Sequence, residues 1–200
     1  QRGQVACIAR RQQAQVLAGI AQAAEDGLGD GHLLGQGLAV FGRLFVAQQH
    51  PDLRRALGQF PRPDVAERIL QAYFIPGGKP ADQPFRLTSM PSVTCGEALT
   101  ELTVAAGFVE VFLAKEGHAG RVGINLLEKI QVGALPTLYG ALLARVDYVL
   151  MGAGIPRQIP GILDRLSAGE AVEMKMDVEG AEYDVFDDIR VREDEWRYLS

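Results

Sequence analysis

The chain is short of cysteine and of positive charge, and each shortage removes a class of protein. Only two cysteines occur among 200 residues, Cys7 and Cys95, with no CxxC spacing and no histidine cluster nearby. They support neither a disulfide framework nor a zinc site, and they suit a reducing, cytoplasmic setting. The 20 basic residues are outnumbered by 25 acidic ones, for a net charge of −5. With no face rich in lysine or arginine, nucleic acid is not an expected partner. No apolar stretch reaches the roughly 18 to 20 residues that span a bilayer, so a membrane is not expected either. The sequence opens at Gln1 with no basic segment leading into an apolar core. No secretory leader is expected, and the chain reads as an excised or truncated piece. There is no Gly-x-Ser-x-Gly elbow, and Cys95 lacks a base partner, which leaves hydrolysis without a nucleophile.

What is present is the composition of a folded domain, 48% hydrophobic and 22% charged. Residues 1–50 form a divergent segment, helical or disordered. Val5, Ile8, Val16, Leu17 and Ile20 suit an amphipathic helix, and Gly27, Gly29 and Gly31 mark a flexible turn before the apolar run Leu38 to Val46. Those glycines lack the Gly-Lys-Ser/Thr of a phosphate cradle.

Residues 51–107 read as a helical region with a loop insert. One or two helices are expected over Pro51 to Phe74, with Asp64 as an N-cap. The proline- and glycine-rich stretch Pro76 to Pro84 must be a loop, and helical spacing returns from Thr94 to Ala106.

From 108 to 180 the texture is that of β/α repeats. Phe108–Leu113, Val122–Leu127, Tyr148–Met151 and Ala171–Met176 are short runs rich in β-branched, aromatic and other apolar residues. Helical stripes at Leu138–Ala144 and Ile159–Leu166 separate the later ones, and Pro160 is tolerable near a helix start. The last three runs are spaced as in β-α repeats. Strands without alternation suggest burial on both faces of a parallel sheet. The fold class is therefore α/β, and the pattern leaves open sheet and barrel equally open. Residues 181–200 form an acidic tail whose spacing follows no calcium-loop pattern, so a solvated end is expected.

Reactive groups in parallel α/β proteins sit where strands end and lead into helices. Two segments qualify: Gly123 to Lys129, with the amide of Asn125 and the cation of Lys129, and Met151 to Pro156, with Gly152 and Gly154. Glycines there let a flat or phosphorylated ligand approach the backbone, or simply serve a tight turn. His118 is the single histidine after residue 50; its glycine-flanked setting suits a surface loop better than a general base.

The stretches Phe108–His118, Val122–Gln131, Leu135–Ala144 and Asp147–Pro156 together resemble the nitronate monooxygenase (2-nitropropane dioxygenase) family. The branch they resemble includes enoyl-reductase-like flavoproteins of polyunsaturated fatty acid synthesis. The likeness reaches weakly upstream to Tyr73–Lys79 and the helix at 64–72, and downstream to about Gly180. The resemblance implies a partial TIM (β/α)8-type barrel with an N-terminal mainly helical segment, and FMN bound at the strand ends. It implies oxidation of a small-molecule alkyl nitronate by molecular oxygen, or reduction of an enoyl thioester in related branches. On that mapping Gly123 and Asn125 end one strand beneath the flavin. Glu128 and Lys129 form the adjoining loop, and Gly152, Ala153 and Gly154 form the next. The family's glycine-rich opening strand is missing from residues 1–48, and none of His32, His50 and His118 matches its catalytic histidine motif, so no catalytic residue is assigned. The expectation is a fragment of an FMN-dependent oxidoreductase; a non-catalytic truncated α/β module is the alternative. No metal is expected, and homo-oligomerisation is left open.

Overall fold

The computed structural model describes residues 51–78, 80, 82, 96–177 and 185–189. The helix read in 1–25, the glycine turn after it and the apolar run at 38–46 lie outside these residues, as do Cys7, Cys95 and most of the acidic tail. Two short helices come first, α1 (Pro51–Leu57) and α2 (Pro63–Tyr73). Each begins with proline, whose fixed φ and missing N–H suit the first helical position. That choice displaces the expected cap: Arg62, not Asp64, is the N-cap of α2, and no side chain caps it. Asp64 instead sits in the first turn, bonded to Arg62 at 2.7 Å and Arg68 at 3.0 Å. These guanidiniums, Arg62 foremost, hold its carboxyl well below the usual carboxylate range.

Phe108–Leu113, expected as a strand, is helical. These residues are the interior of α3, a 19-residue helix from Glu97 to Lys115. Leu99, Leu102 to Val109 and Val111 are all buried. A helix enclosed on nearly every side is apolar at nearly every position, which erases the 3.6-residue period and imitates a buried strand. α3 also runs through the 107/108 boundary.

The next elements follow the sequence reading closely: β1 (Gly123–Leu127), α4 (Ala134–Leu143), β2 (Tyr148–Gly152), α5 (Ile159–Ser167) and β3 (Val172–Met176). β1 and β2 pair in parallel, with Gly123 opposite Tyr148 and Leu127 opposite Gly152. β3 does not join them. It pairs antiparallel with β4 (Val185–Ile189), a strand inside the stretch read as a solvated tail, where Ile189 is buried. The fold is α/β, with two two-stranded sheets, and no barrel closes among the described residues.

One core joins these elements. α3 packs most extensively on α4, α1 and α2 pack on α3, and α5 packs on β3. Leu102, Val109, Leu135, Leu138 and Leu166 are at most 1% exposed. The Arg55 guanidinium on α1 bonds the Glu116 carboxylate just past α3, at 2.8 Å through Nη2. No helix among the described residues is long and apolar enough to cross a membrane.

Burial on both faces is not what β1 and β2 show. Gly123, Asn125 and Leu127 are exposed while Ile124 and Leu126 turn inward. Opposite them, Tyr148 is 49% and Leu150 56% exposed. Among the described residues the helices cover one face only, so a parallel pair that composition marks for the interior carries an apolar face that no described helix covers.

Candidate functional site

Parallel pairing in register puts the C-terminal ends of β1 and β2 side by side, and the loops that leave them form one rim. The Glu128 N–H donates to the Gly152 carbonyl at 2.8 Å, carrying the pairing one step past the strands. Gly152 closes β2, and Ala153 then takes a left-handed backbone with φ 61°. A β-carbon on Gly154 would stand 2.1 Å from Glu128 Oε2 and 2.9 Å from Glu128 Cβ. Glycine at 154 is therefore what lets the Glu128 side chain lie across the second loop. Lys129 is exposed beside it.

Five of the seven residues singled out from the sequence meet at this rim: Glu128, Lys129, Gly152, Ala153 and Gly154. Asn125 lies two residues below it, on the bare face and opposite Leu150. Gly123 opens β1 rather than ending it, and stands at the far end of the strand, roughly 13 Å from Leu127 at strand rise. It nonetheless shares the bare face, since residues two apart on a strand point the same way. A β-carbon on Gly123 would touch Leu150 Cδ1 at 3.1 Å and Tyr148 at 3.3 Å, so these side chains lie over it.

The sequence reading missed the apolar platform of Leu127, Tyr148 and Leu150. Its residues appear in the strands as read, but which face they would occupy depends on what the helices cover. At the far end of the platform the Arg121 guanidinium lies 5.7 Å over the Tyr148 ring and bonds its hydroxyl. Also missed were Gln131 and Gln158, which follow β1 and β2. Gln131 Oε1 accepts from the Asp177 N–H at 2.7 Å, and the Gln158 amide bonds both main-chain groups of Lys175.

His118 has a structural task. Its Nε2 lies 2.7 Å from the Ala114 carbonyl, and Nδ1 accepts from the Gly120 N–H at 3.0 Å. The donor must be Nε2, which leaves no ring nitrogen for proton transfer. The imidazole finishes α3 by filling one of its open carbonyls.

Asp147 fixes the opposite end of the sheet. Its Oδ2 accepts from the Val122 N–H at 2.8 Å and from Lys115 Nζ at 2.9 Å, and its own N–H reaches the Val122 carbonyl at 2.9 Å. The Val122 amide first, then Lys115, pull its carboxyl below the usual range.

A hollow of about 410 Å3 lies elsewhere, between α2 and the start of α3, lined by Arg62, Asp64, Arg68, Glu97, Ala98 and Glu101. Its cations face carboxylates, Arg68 to Glu101 at 2.6 Å among them, so the charges answer one another. Among the described residues no three His, Cys, Asp or Glu side chains gather as a metal set.

The rim and platform suit a flat ring with polar edges. Leu127, Tyr148 and Leu150 offer apolar area, the Asn125 amide both donates and accepts, and the second loop carries no β-carbon at Gly152, while the Glu128 side chain lies over Gly154. Lys129 adds a cation for an anionic group. Comparison of the chain with protein-family models, with curated proteins and with solved structures gives no match.

Proposed function

We propose that the chain is part of an FMN-dependent oxidoreductase of the nitronate monooxygenase type, with β1–α4–β2 as one unit of a (β/α)8-type barrel. The observation that carries this reading is the shared rim. Glu128, Lys129, Gly152, Ala153 and Gly154 meet at the strand end where such folds place their ligands. The apolar platform beneath is the second support. The flavin, when bound, supplies two-electron chemistry between an alkyl nitronate and molecular oxygen. The chain's own contribution is orientation and exclusion of water. Leu127 and Leu150 would cover the ring face, and Asn125 would bond its polar edge. Gly152 would let the ring approach the backbone, and Glu128, lying over Gly154 beside Ala153, would hold the two loops together. Lys129 would face the cofactor phosphate or the nitronate anion. A cytoplasmic setting and a small-molecule substrate accompany this reading.

Titrating the purified chain with FMN, followed by flavin fluorescence and the visible absorption band, tests the cofactor. Oxygen uptake on adding an alkyl nitronate tests the reaction. A second reading, a non-catalytic α/β module, is favoured by one observation, the 56% exposure of Leu150 on a parallel strand, which suits a surface covered by a partner. Nitronate-dependent oxygen uptake by the chain would exclude it. NADPH oxidation with an enoyl thioester, in place of oxygen uptake, would move the substrate to the reductase branch.

A further inference from the structure

β3 is held to the rim by side chains instead of by a strand. In an antiparallel pair, alternate residues turn both main-chain groups toward the partner and the residues between turn theirs away. Lys175 turns away from β4: its N–H donates to Gln158 Oε1 at 3.0 Å, and its carbonyl accepts from Gln158 Nε2 at 2.9 Å. One side-chain amide thus makes the two bonds that a neighbouring strand would make. Two residues on, the Asp177 N–H donates to Gln131 Oε1 at 2.7 Å. Gln131 lies in the loop after β1, and Gln158 is the N-cap of α5, at the end of the loop after β2. The outer edge of β3 is therefore bonded to both rim loops, one glutamine from each.

We infer that Gln131 and Gln158 are positioning residues that lock the two rim loops onto the outer edge of β3. The lock fixes the spacing of Glu128 and Lys129 against Gly152 to Gly154. It also fills main-chain groups that an open strand edge offers to other chains. The positioning role rests on the flavin reading, whereas the lock itself does not.

Amide hydrogen exchange on the full chain tests the lock. In the double variant Gln131→Ala/Gln158→Ala, the Lys175 and Asp177 amides should exchange at least fivefold faster, with the α3 and α4 amides unchanged. Gln158→Glu keeps an acceptor for the Lys175 N–H but sets a carboxylate oxygen against its carbonyl, so Lys175 protection should fall between those of the wild type and the double variant. Exchange at Lys175 and Asp177 unchanged in the double variant, or accelerated only in step with the whole chain, overturns the lock. FMN titrated into the same samples tests positioning: affinity should fall at least fivefold, with altered visible circular dichroism of bound flavin. Equal affinity and equal spectra in both proteins overturn positioning and leave the flavin reading standing. No FMN binding by the wild type overturns the flavin reading and with it the positioning role, while the exchange result still decides the lock.

Discussion

Gly140 of α4 lies directly against Val104 of α3: a β-carbon built on Gly140 would stand 2.0 Å from the Val104 carbonyl oxygen and 2.9 Å from the Phe108 nitrogen. The contact is reciprocated one turn away, where a β-carbon on Gly107 would stand 2.6 Å from the Thr137 carbonyl oxygen. Both obstacles are backbone, which cannot swing aside. Gly140→Ala should destabilise the chain by about 3 kcal/mol or more, the upper range of overpacking. Gly107→Ala should cost about 1–3 kcal/mol. In a chain of this size each kcal/mol lowers Tm by roughly 2–4 °C, so thermal denaturation resolves the two. A Gly140→Ala protein that melts with the wild type would contradict the close crossing of α3 and α4.

Asp147 gives the chain an acid-sensitive joint. Its carboxyl titrates below the usual range, so the stability it contributes is complete above that range and is lost as pH falls through its lowered value. Asp187 on β4 works the other way, since burial and then Asp188 push its carboxyl up. Comparing Asp147→Asn with the wild type isolates the first effect. The variant should lose about 1–2 kcal/mol at neutral pH, as for a removed charge-assisted hydrogen bond, and the difference should shrink in acid. Tm against pH for the two proteins is the measurement.

His118→Ala should shorten α3 from its C-terminus and cost about 0.5–1 kcal/mol, the range of a lost hydrogen bond. Any nitronate-dependent oxygen uptake should be unaffected, with kcat unchanged. Loss of turnover in a folded His118→Ala protein would restore the general-base role that its two hydrogen bonds argue against.

Two leucines should respond very differently to truncation. Leu138 is fully buried, and Leu138→Ala should cost about 2–5 kcal/mol. Leu150 is 56% exposed on β2, and Leu150→Ser should change stability by about 0.5 kcal/mol or less. Denaturant midpoints of the two variants check this. A large loss for Leu150→Ser would mean that the bare face is covered in solution.

Gly154→Val should push Glu128 off the second rim loop. The melting temperature should stay close to that of the wild type, because Gly154 is exposed. FMN affinity, where the wild type shows it, should fall about tenfold, which is roughly 1.4 kcal/mol.

Much of the local structure was legible in the residues. β1, α4, β2, α5 and β3 all fall where apolar runs and stripes placed them, and the loops after β1 and β2 meet as the parallel reading requires. The reading failed at Phe108–Leu113 because total burial removes the periodic signal. It failed at Val185–Ile189 because acidic neighbours hid a strand whose Ile189 side chain is buried. The glutamines were invisible for a different reason: nothing near Gln131 or Gln158 in sequence marks the Lys175 and Asp177 backbone as their partner.

The sequence by itself determined which segments are apolar enough to be buried, where prolines and glycines end them, and therefore the β-α-β core and its rim. Those are local properties, decided by side-chain chemistry within a few residues. Only the tertiary structure decided which face of β1 and β2 stays bare, that β3 turns to β4 instead of to β2, and that α3 crosses α4 at glycine distance. Each of those depends on residues far apart in the chain competing for the same surface, and such a competition leaves no periodic trace in either segment alone.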